Sequence, residues 1–228
     1  MAQFSDASPN GLHLLLTAPS EWTQQVGAMP NGNNCMKPSD ENAYAKVLDP
    51  TNKLNVNYMG DISVVCWLKW TTSTAVRYIL DYANKTPGGT NYQWRFLLNA
   101  NDTFQFYTWN SSFGGGTPKN RSSTVQTSKV GTWVFVIAQV TTPWQQAPQA
   151  DIYINNVLSN GAASASLNGP NDFSPNMAMY FGRDFNSGTT DLGETDGGGS
   201  ALIGKVAVVN KLLTPLEKSN LYSAMTHV

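Results

Sequence analysis

The residues best equipped for chemistry sit together late in the chain. Between 183 and 200 the sequence reads Arg-Asp-Phe-Asn-Ser-Gly-Thr-Thr-Asp-Leu-Gly-Glu-Thr-Asp-Gly-Gly-Gly-Ser. Asp184, Asp191, Glu194 and Asp196 put four carboxylates in one glycine-rich loop. Calcium takes carboxylate and carbonyl oxygens, so these four are the candidate calcium ligands; no other cofactor is expected. Glu194-Thr-Asp196 is also the nearest approach to the paired carboxylates of a glycoside hydrolase, which must flank a sugar bond at about 5–9.5 Å. Three glycines follow the pair and no second glutamate does, so it reads as a solvated turn. His13 and His227 are the only histidines, and there is no Gly-x-Ser-x-Gly elbow, phosphate-binding glycine loop or zinc spacing. The chain is read as a non-enzyme.

Sugar binding needs exposed aromatic faces with amide, carboxylate or guanidinium groups nearby. Trp22, Tyr92, Trp109, Trp144 and Phe185 fall on loops or strand ends. Of these, Trp144, Trp109, Tyr92 and Phe185 are the candidate glycan contacts. Trp144 leads them, because Thr142-Pro-Trp-Gln-Gln-Ala-Pro148 interrupts a hairpin. Trp67, Trp94 and Trp133 lie within strands and are expected in the core. Four Asn-x-Ser/Thr sequons, at Asn84, Asn101, Asn110 and Asn120, suit a chain rich in these residues and are read as unmodified.

Strands must position these groups. Gly131 to Val140 alternates Trp133, Phe135 and Ile137 with Val134, Val136, Ala138 and Val140, so both faces of this strand are apolar and both must be covered. Asn155-Asn156 then supplies the positive dihedrals of a tight hairpin. Further strands are expected at Leu12–Leu16, Ala43–Leu48, Ile62–Trp70, Val76–Tyr82, Trp94–Leu98, Phe104–Tyr107, Thr124–Thr127, Met177–Gly182 and Leu202–Val209. Thr214-Pro-Leu-Glu217 is a capping box with proline at the first helical position, and predicts a helix over 214–226. Leu216, Leu221 and Ala224 are expected to turn towards the sandwich edge. Residues 18–43 read as a long surface arm with Trp22, Val26 and Met29 exposed for docking. Cys66 reads as a buried thiol, and a Cys35–Cys66 disulfide stays open.

Composition narrows the class. A single domain spanning 1–228 suits this length. Charged residues make up 13% of the chain against about 25% in an ordinary domain, and 41% is apolar. A net charge of −1 without basic runs gives no reason to expect nucleic acid. No apolar run is long enough for a membrane span, and Met1-Ala-Gln-Phe-Ser-Asp lacks the features of a signal peptide, so synthesis in a host cytoplasm is expected.

The order of motifs resembles the concanavalin A-like lectin/glucanase superfamily, in its laminin-G-like branch. The pieces are Ser63-Val-Val-Cys-Trp-Leu-Lys69, Trp94-Arg-Phe-Leu-Leu98 with Phe104-Gln-Phe106, Gly131-Thr-Trp-Val-Phe-Val-Ile-Ala138, Ile152-Tyr-Ile-Asn155, Tyr180-Phe-Gly-Arg183, and Gly204-Lys-Val-Ala-Val-Val209 ahead of Leu213-Thr-Pro-Leu-Glu217. Family members often have Asn-Gly where this chain has Asn155-Asn156, and many carry Asp where it has Ala207. The resemblance implies an all-β, two-sheet antiparallel jelly-roll sandwich with a short C-terminal helix. It also implies a virion structural protein of a phage, in capsid decoration or tail and fibre adhesion. Its partners would be other virion proteins, with cell-surface polysaccharide and a homo-oligomer also admitted. The alternative is a soluble or cell-surface lectin, and the third reading a glycoside hydrolase.

Overall fold

The computed structural model describes residues 3–4, 14–16, 22–38, 45–48, 61–71, 76–86, 89–108, 119–141, 149–163, 178–181 and 201–226. In chain order the described strands are β1 (Gln3–Phe4), β2 (Leu14–Leu16), β3 (Trp22–Gln25), β4 (Cys35–Pro38), β5 (Ala45–Leu48), β6 (Ile62–Trp70), β7 (Arg77–Thr86) and β8 (Gly89–Leu98). Then come β9 (Phe104–Thr108), β10 (Lys119–Ser123), β11 (Val134–Thr141), β12 (Gln149–Ile154), β13 (Val157–Leu158), β14 (Asn160–Ala163), β15 (Ala178–Phe181) and β16 (Ala201–Val209). Helix α1 (Pro215–Thr226) follows.

Two antiparallel sheets result. Nine strands run β1-β2-β5-β15-β7-β8-β9-β10-β14, and seven run β13-β12-β11-β6-β16-β4-β3. This is the jelly-roll sandwich with a short C-terminal helix that the sequence predicts. The main core lies between the sheets. It takes Val64, Cys66 and Leu68 from β6, Val134, Val136 and Ala138 from β11, and Trp94, Phe96, Phe104 and Phe106 from the facing sheet. Trp94 stacks on Phe106 with ring centres 5.7 Å apart, and Phe104 meets Trp70 edge-on at 5.4 Å. Each such pair contributes about 0.5–1.5 kcal/mol beyond its buried area.

The second apolar face of β11 is also explained. Val65, Trp67, Phe135 and Ile137 on the outer side of the seven-stranded sheet form a separate core with Met29, Cys35 and Leu213, and Tyr222 of α1 packs against it. The helix therefore covers a sheet face rather than an edge, and it does so with a different stripe from the expected one. Leu216 is 70% exposed, and Leu221 and Ala224 also face solvent. Lys218 and Tyr222 turn inward instead. Lys218 donates from Nζ to Gln139 Oε1 at 3.1 Å and lies 3.4 Å from the centre of the Tyr153 ring, a cation–π contact that offsets part of its desolvation. Gln139 Nε2 in turn donates to Ser63 Oγ and to the Leu213 carbonyl. The capping box forms as expected: Glu217 N–H donates to Thr214 Oγ1, and Thr214 N–H to Glu217 Oε2. Hydrogen bonds from Lys211 and from Thr214 hold the Glu217 carboxyl down to about 2.

The segment expected to be a docking arm differs in the same direction. Its described part, 22–38, is the β3–β4 hairpin at the edge of the seven-stranded sheet, and Met29 is only 3% exposed. Val26 does face solvent. Gly204, beside the bulge in β16, makes the Met29 packing feasible, because a Cβ there would sit 2.6 Å from the Met29 Cε and 2.9 Å from the Trp67 Cβ. The strand expected at Thr124–Thr127 is displaced to β10, and Thr127–Lys129 is a 3-10 turn. Gln126 is the cause: its amide nitrogen donates to the Thr124 carbonyl and to Ser159 Oγ, and its backbone N–H donates to the Asp102 carbonyl.

Asn155 and Asn156 have φ of 50° and 66°, as a two-residue hairpin turn requires. Asn155 has a second task, since its Oδ1 accepts the Phe135 N–H at 2.9 Å and ties the turn to β11. Cys35 and Cys66 are both free and buried. Cys66 lies in the inter-sheet core and Cys35 in the outer one, so the sheet separates them and the open disulfide is excluded. Burial raises both thiols, Cys66 to about 12. Because the thiolate is the reactive form, native protein at about pH 8 should resist an aromatic disulfide reagent, while unfolded protein should release two equivalents of chromophore. Rapid native labelling of Cys35 would contradict its burial.

Candidate functional site

Polar groups gather on the outward face of the nine-stranded sheet, at β7 to β10. Two cross-strand rows define it. Strand register aligns Tyr78, Leu97, Gln105 and Ser122 in one row and Asp81, Arg95, Tyr107 and Asn120 in the next. The rows match in phase because β7 is bulged between Tyr78 and Leu80. One extra residue there sends both Ile79 and Leu80 into the core and returns Asp81 to the outward face beside Arg95.

The ion pair is the anchor. Arg95 donates from Nε to Asp81 Oδ1 at 3.0 Å and from its terminal nitrogen to Oδ2 at 2.9 Å, the two-pronged geometry that a planar guanidinium favours. The Asp81 side chain is fully buried and that of Arg95 is 9% exposed. The guanidinium carbon also lies 4.9 Å from the Tyr78 ring centre, so the arginine is held by charge and by stacking. Next to it, four side chains close a ring of hydrogen bonds. Tyr107 Oη donates to Gln105 Oε1 at 2.7 Å, Gln105 Nε2 to Ser122 Oγ at 3.0 Å, Ser122 Oγ to Asn120 Oδ1 at 3.4 Å, and Asn120 bonds back to Tyr107. Burial pushes the Tyr107 phenol above its usual value, against the opposing pull of Arg95 and Asn120.

A depression of about 200 Å³ opens over these rows, lined by Tyr78, Arg95, Leu97, Asn99, Gln105 and Tyr107 with Val76 at its border. Leu97 is only 5% exposed yet belongs to neither core, so it forms an apolar floor. Two tyrosines, one fixed guanidinium and two carboxamides around an apolar floor can stack on a sugar ring and bond its hydroxyls. The sequence gives no hint of this cluster beyond the alternation of Gln105 and Tyr107 with Phe104 and Phe106. Of the expected contacts, Tyr92 lies on β8. Trp109, Trp144 and Phe185 lie outside the described residues, as do Asp184, Asp191, Glu194 and Asp196. Among the described residues no group of three or more His, Cys, Asp or Glu could hold a metal ion.

The laminin-G-type model of the concanavalin A-like lectin/glucanases superfamily matches residues 39–217. The chain belongs to this superfamily. No curated protein matches its sequence. Solved structures similar to this concanavalin A-like chain include the binding domain of botulinum neurotoxin serotype D, at 15% identity and a TM-score of 0.65 over 96% of this chain and 48% of that one. The binding domain of botulinum neurotoxin DC, solved in complex with SialylT, gives 15% identity and a TM-score of 0.65 over 97% and 48% of the two chains. The same domain in complex with rat synaptotagmin II gives 16% and 0.63 over 97% and 48%. This chain thus spans about half the length of the solved chains it matches, and the likeness is one of fold.

Proposed function

We propose that this jelly roll is a non-catalytic carbohydrate-binding module whose contact surface is the outward face of β7 to β10. The observation that carries this is the depression where Tyr78, Arg95 and Tyr107 meet, with aromatic, amide and guanidinium groups already fixed by one another. Fixed groups lose little side-chain entropy on binding, which favours a weakly interacting ligand such as a sugar. Membership of a lectin-containing superfamily supports the reading, as does similarity to binding domains, one of them solved with SialylT and one with rat synaptotagmin II. Arg95 clamps Asp81 through two hydrogen bonds, and a carboxylate held in this way is poorly placed to act as an acid or base. Tyr92, Trp109, Trp144 and Phe185 are proposed as further glycan contacts, and Asp184, Asp191, Glu194 and Asp196 as calcium ligands.

A second reading is the virion role, with the module as a capsid or tail component that attaches through protein contacts. The exposure of Val157 and Leu158 on the edge strand β13 favours it, because apolar side chains on a sheet edge are suited to pairing with another protein. A glycan array with and without a calcium chelator tests the first reading. Binding is expected, and Tyr107→Ala should weaken it at least tenfold, about 1.4 kcal/mol. A blank array combined with co-sedimentation on particles would transfer the function to the virion reading.

A further inference from the structure

Granted that this face takes a sugar, we infer that the sugar is a single N-acetylated hexosamine unit. Three observations converge. The first is size: about 200 Å³ is below the range of roughly 300–1,000 Å³ typical of clefts for larger ligands, so the depression itself holds about one ring. The second is charge. Arg95 carries the only formal charge among the described lining residues, and Asp81 offsets it through two hydrogen bonds. A neutral ring suits this site better than an acidic one.

The third is the pairing of an amide donor with an apolar patch. Asn99 sits at the end of β8, half-buried, where the turn begins. Its Oδ1 accepts the Ala100 N–H at 2.9 Å, which fixes the carboxamide so that Nδ2 is the remaining group. Among the described residues nothing accepts from that Nδ2, and Asn99 lines the same depression as Leu97 and Val76. An acetamido group has the matching chemistry, with a carbonyl oxygen to accept from Nδ2 and a methyl to cover the apolar side chains. A plain hexose offers a hydroxyl there, which would leave the Leu97 floor against a polar group.

The test uses the methyl glycosides of N-acetylglucosamine, N-acetylgalactosamine and glucose, titrated by NMR with saturation transfer from the whole protein. One buried methyl-sized group discriminates by roughly 10–200-fold, so an N-acetylated glycoside should bind at least tenfold tighter than the glucoside. Its acetyl methyl should receive the strongest saturation. Asn99→Asp keeps the oxygen that accepts the Ala100 N–H but replaces the donor with a second acceptor, and should abolish the preference without shifting the unfolding midpoint. If glucoside and N-acetylated glycosides bind equally and Tyr107→Ala weakens both, the face is a sugar site and the N-acetyl assignment is wrong. A preference that survives Asn99→Asp, or a methyl without enhanced saturation, would also overturn it. No binding by any of the three glycosides would remove the assignment, and a blank glycan array besides would remove the carbohydrate reading itself.

Discussion

Asp81→Ala is expected to destabilise the protein by about 3–5 kcal/mol and to abolish sugar binding in whatever fraction stays folded. The mutation removes the bidentate carboxylate partner of Arg95, whose side chain is 9% exposed. Removing one partner of a buried pair is far more costly than the pair was favourable, since the pair itself gains little over its desolvation. For a chain of this length each kcal/mol lowers the unfolding midpoint by roughly 2–4 °C, so thermal unfolding should move down by about 10 °C. The double variant Asp81→Leu with Arg95→Met removes both charges and keeps the volume. It should recover most of the stability, because apolar replacements of buried pairs are often neutral or better. It should not recover binding, because the guanidinium that stacks on Tyr78 and is proposed to contact the sugar is gone. Stability and binding that returned together in the double variant would place the sugar site elsewhere.

That ion pair also shows what sequence reading can and cannot find. Alternation along 76–82 puts Tyr78 with Leu80 and Arg77 with Asp81, because a strand has period two. A bulge breaks the period and nothing in the local residue types announces it, so Asp81 reaches Arg95 only in three dimensions. The doubly apolar strand around Phe135 was legible as covered on both sides. What covers it was not, because the inward stripe of α1 depends on Lys218, which a hydrophobic pattern assigns to solvent. Burial of that lysine requires Gln139 and Tyr153 to be in place, and both are far away in sequence. Likewise Thr124–Thr127 has strand-forming residues, but the Gln126 amide bonds to the Thr124 carbonyl and to the Thr124 and Ser159 hydroxyls, and the chain turns there. The hairpin at Asn155-Asn156 and the capping box at Thr214 were fully readable, since each is complete within four residues.

Trp67→Ala is the second large effect, and it tests which element closes the outer face of the seven-stranded sheet. Trp67 is 1% exposed, lies nearly parallel to the Tyr222 ring at 6.1 Å and meets Phe135 at 5.4 Å. Truncation should cost about 3–5 kcal/mol, the usual range for a buried tryptophan, and the hole would lie directly under α1. Backbone amides of α1 should therefore lose hydrogen-exchange protection before those of β6 and β11, which keep the inter-sheet core. Leu216→Ala, on the exposed stripe, should change stability by no more than about 0.5 kcal/mol. The reverse ranking would mean that the helix packs through its leucines. The outcome matters for function as well. Loosening α1 through Trp67 should leave sugar affinity at the β7–β10 face unchanged in the folded fraction, since that face lies on the opposite side of the sandwich.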